Sequence, residues 1–310
     1  MPTKNVFDKL IKQEFLNGNP ILPGVFAKSE KLYGRTIITR GKAKDYDTYF
    51  SESFGKEILE KVDDKIRECY RDGKGKGGEL KSKFFSVASS SRFAVANFSK
   101  NISGIVSFIN QYAGEDINKI SFEKDLPIKN ISGKKISGTS PQMDVWIKTS
   151  HDIFFEVKCH EVFDEYEHAN IKLSTQYSNN AIFQEIIKQY AIDLSTRERS
   201  YVKDGKTHNY YLLNRNMFKV FTNTSHFDLK QFLCHLMGII SNKEIDSWVE
   251  FNYLFYKNHD AQFDKVYAEL EYELSIIKKT FEWIFTKYKV KFSWFYNDKF
   301  STFEQNSTFS

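Results

Sequence analysis

Apolar and polar residues alternate most regularly near the middle of the chain. Over residues 142–147 this alternation places Asp144 on the polar side of a half-buried strand. After a polar break, residues 152–159 show a second strand pattern, in which Glu156 and Lys158 share one face and the other face is apolar. Pairing of the two strands as a hairpin would bring Asp144 beside Glu156 and set Lys158 on the same rim.

The same periodicities predict the elements around this hairpin. Apolar residues at helical spacing predict helices over 4–16, 51–70, 89–98, 102–112, 178–194, 227–240 and 261 to about 288. Strand patterns occur near 30–40 and over 118–128, 209–213 and 248–256. The helix over 178–194 is expected to cross over to 209–213 as the next strand of the central sheet.

This order of elements predicts an α/β fold in which helices flank a mixed central sheet. No linker-like composition divides the chain, so its 310 residues are expected to form a single domain. We place the core at about 79–257, with an N-terminal helical part, 1–78, and a C-terminal helix, 258–310, as additions.

Three charged residues of the hairpin have the spacing of a metal-dependent phosphodiesterase site. Two converging carboxylates repel each other unless a cation lies between them. Magnesium is usually held by one or two carboxylates, with water and substrate phosphate completing its shell. Asp144, Glu156 and Lys158 therefore predict a Mg²⁺ site for phosphate chemistry. The alternative interpretation is a surface hairpin with an exposed Glu156–Lys158 pair, worth less than about 1 kcal/mol.

The motif and its flanks resemble the PD-(D/E)xK nuclease superfamily, best known from type II restriction endonucleases. The residues that carry the resemblance are Pro-Gln-Met-Asp at 141–144 and Phe-Glu-Val-Lys at 155–158. Residues 122–128 resemble the strand that precedes the metal hairpin in that fold, and Glu161 resembles an acidic position after the motif. The likeness covers roughly 79–257; it departs from the motif in that two residues separate the proline from the aspartate.

This resemblance implies a restriction-endonuclease-like fold and a DNA endonuclease that uses Mg²⁺, with Mn²⁺ as a substitute. Asp144, Glu156 and the Val157 carbonyl would be metal ligands, and Lys158 would orient the attacking water or stabilise charge on the phosphate. Asp144, Glu156 and Lys158 are thus the predicted catalytic residues. Supporting positions are predicted at Glu79, Glu123, Glu161 and Gln184; the alternatives are that Glu161 faces away from the site and that Gln184 is an exposed helix glutamine.

Charge and composition set the predicted partners. The net charge of +5 permits nucleic-acid binding without requiring it. Lys74 and Lys76 in a glycine-rich loop, and Lys134 and Lys135 in a glycine-serine segment, are predicted DNA contacts, with solvated surface lysines as the alternative. Double-stranded DNA is the predicted substrate, and a homodimer would allow both strands to be cut.

Several other classes of protein are not favoured by the sequence. The three cysteines lie far apart, which indicates neither a disulfide framework nor a zinc knuckle. No P-loop or long apolar run is found, so neither a nucleotide cofactor nor a membrane span is expected, and we predict a cytoplasmic protein. Restriction or defence is the predicted role. The alternatives are a repair or recombination nuclease, a catalytically silent DNA-binding protein, and an interaction protein with a chance motif.

Overall fold

The computed structural model describes residues 27–32, 35–40, 90, 94, 97–98, 119–136, 140–159, 161–163, 169–257 and 261–297. The strands are β1 (Ala27–Leu32), β2 (Arg35–Arg40), β3 (Lys119–Asp125), β4 (Gln142–Lys148), β5 (Asp152–Lys158), β6 (Asn170–Ser174), β7 (Glu198–Lys203), β8 (Lys206–Asn214), β9 (Val249–Tyr256) and β10 (Val290–Asn297). The helices are α1 (Ala181–Gln189), α2 (Leu229–Asn242), α3 (Asp264–Thr280) and α4 (Glu282–Tyr288).

A mixed five-stranded sheet forms the centre of the fold, in the order β10-β9-β5-β4-β3. The chain runs antiparallel through β3, β4 and β5, whereas β9 lies parallel to both β5 and β10. This arrangement confirms the predicted α/β class and the predicted hairpin over 142–147 and 152–159. None of the helices in the described ranges is long and apolar enough to cross a membrane.

The centre of the sheet is buried on both sides. All eight residues of β9 and the five central residues of β5 are buried, as expected for strands covered on both faces. On one face α2 provides the packing, and the ring of Phe232 lies 5.6 Å from Phe251 and 5.3 Å from Phe292, measured between centroids. Strand β5, which carries two of the predicted catalytic residues, is therefore held at the rigid centre of the molecule.

A smaller antiparallel sheet, in the order β6-β8-β7, corrects the predicted topology. Residues 209–213 do form a strand, but β8 pairs with β6 and β7 and not with the central sheet. In β8, buried Tyr211 and Leu213 alternate with more exposed residues, which suits a sheet covered on one face only. The strand that continues the central sheet after β5 is β9.

The C-terminal prediction is also corrected. The helix predicted from 261 to about 288 is interrupted at Phe281, between α3 and α4. Residues 290–297 are strand β10, which pairs with β9, so the C-terminal addition 258–310 is not simply a helix. Its alternation of buried Val290 and Phe292 with less buried residues is a strand pattern that sequence reasoning missed.

Toward the N-terminus, β1 and β2 form an antiparallel hairpin, which confirms the strand predicted near 30–40 and shows that the N-terminal part, 1–78, is not entirely helical. Residues 90, 94, 97 and 98 are helical, in agreement with the helix predicted over 89–98. The helices predicted over 4–16, 51–70 and 102–112 lie outside the described residues. The helix predicted over 178–194 is shorter than expected, because Thr175–Asn179 is a 3-10 turn and α1 ends at Gln189.

Helix α2 approaches the chain that leads into β4 so closely that only glycine fits at position 238. A Cβ atom there would lie 2.8 Å from the Leu126 carbonyl oxygen and 3.0 Å from the Pro141 ring. We expect Gly238→Ala to lower the free energy of unfolding by about 1–3 kcal/mol, because this overpacking exceeds the roughly 1 kcal/mol that alanine gains in helix propensity. Urea denaturation measures the change. Lys230→Ala, at an exposed position of the same helix, is the control, and equal stability of both variants would contradict the close approach.

Candidate active site

The predicted catalytic residues line one open cleft of about 730 Å³. The cleft lies where β4 and β5 meet the N-terminal half of α2. Asp144, Glu156, Val157 and Lys158 all contribute to its wall. The hairpin therefore brings these residues together in the way the sequence predicted.

Asp144 lies on β4, at the point where the ladder to β5 ends. The paired register runs up to Val145 opposite Phe155, and one further step would set Asp144 opposite Glu156 on the same face. The Val157 N–H donates a hydrogen bond to Asp144 Oδ2 over 2.6 Å. Asp144 is thereby fixed beside β5. Val157 contacts Asp144 through its N–H. That the Val157 carbonyl is a metal ligand stays a prediction.

Glu156 and Lys158 form a buried ion pair. Lys158 Nζ lies 2.6 Å from Glu156 Oε1, and the side chains are only 13% and 3% exposed. Gln231 Nε2 donates a second hydrogen bond to the same carboxylate oxygen over 2.8 Å. The alternative interpretation, an exposed surface pair, is therefore wrong.

The charges of the site perturb one another strongly. Burial raises the pKa of Asp144 well above its ordinary value, and the nearby charge of Glu156 adds to this effect. Burial also raises the pKa of Glu156, against the opposing influence of Lys158. For Lys158, burial alone would lower the pKa, but Glu156, Glu161 and Asp144 outweigh it and raise the pKa. Lys158 therefore stays protonated, and its single positive charge does not balance the negative charges of the neighbouring carboxylates.

Helix α2 contributes residues that sequence reasoning did not assign to the site. Asp228 caps the helix by accepting a hydrogen bond from the Gln231 N–H over 2.9 Å. Gln231 and His235 are four positions apart, so both project from the same side of the helix toward Glu156. Two polar residues on one side of an otherwise apolar helix are the sequence signal that could have identified α2 as part of the site.

His235 faces the second oxygen of Glu156. Its Nδ1 lies 3.4 Å from Glu156 Oε2, and neither atom has a hydrogen-bond partner among the described residues. The ring hydrogen-bonds the backbone of Gln142, which must occupy its other nitrogen. Burial, aided by the charge of Lys158, lowers the pKa of His235 to about 3, so the ring is neutral and presents a lone pair to the carboxylate. A single proton or cation between the two atoms would satisfy both.

The lowered pKa of His235 makes the stability of the protein depend on pH. The unfolded chain takes up a proton on this histidine near pH 6.5, whereas the folded protein resists protonation down to about pH 3. Stability is therefore lost as pH falls through 6.5, at up to about 1.4 kcal/mol per pH unit. Between pH 7 and pH 5 we expect wild type to lose roughly 1–2 kcal/mol more than His235→Asn in urea denaturation. Asp144 and Glu156 titrate in both proteins; equal losses would mean that His235 takes up its proton in the folded state.

Two predicted supporting residues lie in the cleft. Glu123 lines it, from a left-handed backbone conformation with φ 53°. Glu161 also lines it, and its two oxygens accept hydrogen bonds from the Ser90 hydroxyl and the Cys159 N–H, each over 2.7 Å. Both carboxylates therefore lie in the cleft, and their supporting role stays a prediction.

Other predicted positions do not join this cleft. Gln184 is exposed on α1 and donates to the Ser178 carbonyl, so its predicted place is taken by Gln231 of α2. Lys134 and Lys135 are exposed and do not line the cleft, and Lys135 lies 3.9 Å from Asp125. Glu79, Lys74 and Lys76 lie outside the described residues.

The donor set suits a hard divalent cation that keeps part of its water shell. No group of three or more His, Cys, Asp or Glu side chains in the described ranges is arranged to hold a metal ion. Magnesium needs fewer protein ligands, and the buried Glu156 Oε2 accepts no hydrogen bond from the described residues. Among the described residues, five carboxylates and three lysines line the cleft, a balance of −2 that a divalent cation would offset. The residues present thus fit Mg²⁺ held by Asp144 and Glu156.

Comparisons with protein-family models, with curated proteins and with solved structures find no match to this chain.

Proposed function

We propose that this protein is a Mg²⁺-dependent DNA endonuclease of the restriction-endonuclease-like type, with a role in restriction or defence. One observation carries the proposal: a buried Glu156–Lys158 pair lies beside Asp144 on the wall of an open cleft. Removing two charges from water costs several kcal/mol per ion, and apolar residues of similar size would often stabilise a fold equally well. A charged trio retained at such a cost, and open to a ligand, favours catalysis over packing.

Each residue has a defined role in this proposal. Asp144 and Glu156 would hold Mg²⁺, which when bound supplies Lewis-acid stabilisation of the phosphate and lowers the pKa of water. Lys158, kept protonated by three carboxylates, would place a permanent positive charge beside the scissile phosphate. Gln231 would fix the Glu156 carboxylate through its 2.8 Å hydrogen bond. Hydrolysis would leave a 5′-phosphate and a 3′-hydroxyl, and two protomers related by two-fold symmetry would cut both strands.

Plasmid cleavage tests this proposal. Supercoiled plasmid incubated with the protein and Mg²⁺ should be nicked or linearised, and chelation with EDTA should stop the reaction. Sequencing of the new ends would report sequence preference and stagger, and thereby separate a restriction role from repair or recombination. Binding of DNA with no cleavage at any Mg²⁺ or Mn²⁺ concentration would contradict the enzyme and favour a silent DNA-binding protein. The absence of both binding and cleavage would favour an interaction protein.

A further inference from the structure

The small sheet β6-β8-β7 carries different chemistry on its two faces. Residues directly opposite each other in an antiparallel ladder point to the same side, and every second residue along a strand shares that side. In the β7–β8 hairpin, one face therefore combines the pairs Arg199–Tyr210, Tyr201–His208 and Lys203–Lys206. We call this the outer face. It consists entirely of cations and aromatic residues over these three pairs.

The opposite face of the same hairpin carries fewer cations and fewer aromatic residues. Its residues over the corresponding length are Glu198, Ser200, Val202, Thr207, Asn209 and Tyr211. The outer face thus carries three full positive charges, and the opposite face one negative charge. An exposed hairpin does not need its cations on one face in order to be hydrated, because lysine and arginine side chains are solvated equally well on either face.

The hairpin is also exposed on both faces. All six residues of β7 and the first four of β8 are exposed, and the turn between them uses Asp204 and Gly205, both at positive φ as a tight two-residue hairpin requires. Burial of apolar residues therefore does not explain why aromatic rings are placed here.

The outer face leads directly to the catalytic cleft. On β6, Ser174 pairs with Tyr210 and Lys172 pairs with Leu212, so both side chains continue the outer face. Lys172, Ser174 and Tyr201 are at the same time part of the cleft wall. A ligand lying along the outer face would consequently enter the cleft that contains Asp144 and Lys158.

The aromatic residues of the outer face form a compact group. The Tyr201 ring is stacked on His208 at 5.1 Å between centroids and meets Tyr210 edge-on at 5.8 Å. Tyr201 nevertheless stays 50% exposed. Bases stack on such rings without regard to sequence, but only when the base face is not covered by its neighbours in a duplex.

We propose that the outer face binds an unpaired DNA strand and guides it into the cleft. Tyr201, with His208 and Tyr210 behind it, provides the stacking surface, while Lys172, Lys203 and Lys206 contact the phosphates. The link to cleavage rests on the proposed nuclease function, but binding by this face does not. The substrate it selects is DNA with unpaired nucleotides beside the scissile bond, which refines the expectation of a fully double-stranded substrate.

Binding without cleavage tests this proposal. In EDTA, fluorescence anisotropy with labelled poly(dT) and with the duplex poly(dA)·poly(dT) compares the two forms of DNA. We expect wild type to prefer poly(dT), and Tyr201→Ala to weaken its binding roughly 5- to 100-fold. Lys203→Ala should weaken binding to both probes and reduce the salt slope by about 0.7 for poly(dT). Val202→Ala, the adjacent exposed residue on the opposite face, is the matched control and should bind as wild type does.

Three outcomes would overturn the proposal: tighter binding of the duplex by wild type, no effect of Tyr201→Ala on poly(dT), or equal weakening by Val202→Ala. These substitutions lie on an exposed hairpin, and circular dichroism checks that each variant is folded. A protein that binds poly(dT) through Tyr201 but cuts no DNA would refute the nuclease and leave this binding face intact. If the protein cleaves DNA but Tyr201→Ala leaves poly(dT) binding unchanged, the nuclease proposal stands and the binding face is refuted.

Discussion

Replacement of Lys158 by methionine is expected to reduce Mg²⁺-dependent plasmid cleavage at least about 100-fold, the scale of losing one preorganised charge at a reacting centre. Methionine fills a similar volume, so the change removes the ammonium that contacts Glu156 over 2.6 Å while largely keeping the packing. The rate of nicking is measured under single-turnover conditions, at a temperature where urea denaturation shows the variant to be folded.

The control for Lys158 lies on the same hairpin. Lys148 pairs with Asp152 at 3.2 Å, at the other end of β4, with its side chain 35% exposed. Lys148→Met should cleave at nearly the wild-type rate, because a surface pair of this kind contributes little and the residue is not part of the cleft wall. If Lys158→Met cleaves within a few-fold of Lys148→Met, Lys158 has no catalytic role.

Loss of the Glu273 charge is expected to destabilise the fold more than any change at the surface of the protein. Glu273 on α3 is fully buried and forms an ion pair with Arg215, while its Oε2 accepts hydrogen bonds from the N–H groups of His226 and Phe227 at 2.8 and 3.1 Å. Glu273→Gln would remove the ion-pair partner of the buried Arg215 guanidinium, and breaking a buried pair in this way typically costs about 3–5 kcal/mol. The urea midpoint should fall accordingly.

A more exposed ion pair on the same helix serves as the control that separates the effect of burial from the effect of losing a charge. Lys265 lies 3.6 Å from Glu269, with 62% of the lysine side chain exposed. Lys265→Ala should change stability by less than about 1 kcal/mol. The double variant Arg215→Met/Glu273→Gln should recover much of the loss, because no buried charge is then left alone and the glutamine amide oxygen can still accept from the His226 and Phe227 N–H groups. If Glu273→Gln is no more destabilising than Lys265→Ala, the buried pair does not anchor this region.

The hairpin part of the site was predictable from sequence because its information is local. Alternation along 142–147 and 152–159 fixes which side chains share a face, and antiparallel pairing then brings Asp144 to Glu156. The residues that complete the site come from elsewhere in the chain, and no local pattern reports which helix will cover β5. Gln184 and Gln231 are equivalent as sequence signals, and only the packing of α2 over the sheet decides between them.

The errors in topology have a similar cause. The strand pattern over 209–213 predicts that a strand exists but not which sheet it joins. Strand β8 buries side chains on one face only, whereas every residue of β9 is buried. The sequence reflects this difference, because polar residues interrupt the apolar residues of β8 more often than those of β9. The long helical periodicity up to residue 288 hid β10, because the left-handed Lys289 that ends α4 gives no strong sequence signal.

The parallel pairing of β5 with β9 also has a kinetic consequence. Glu156 pairs in register with Tyr253, 97 positions later in the chain (253 − 156), so the sheet centre closes a very long loop. Contacts of such sequence separation form late, since their loop-closure entropy must be overcome first. The β4–β5 hairpin can form early, but the cover that α2 and β9 provide for Glu156 arrives only with this slow step. During refolding, the proposed cleavage activity should therefore be recovered later than the hairpin structure.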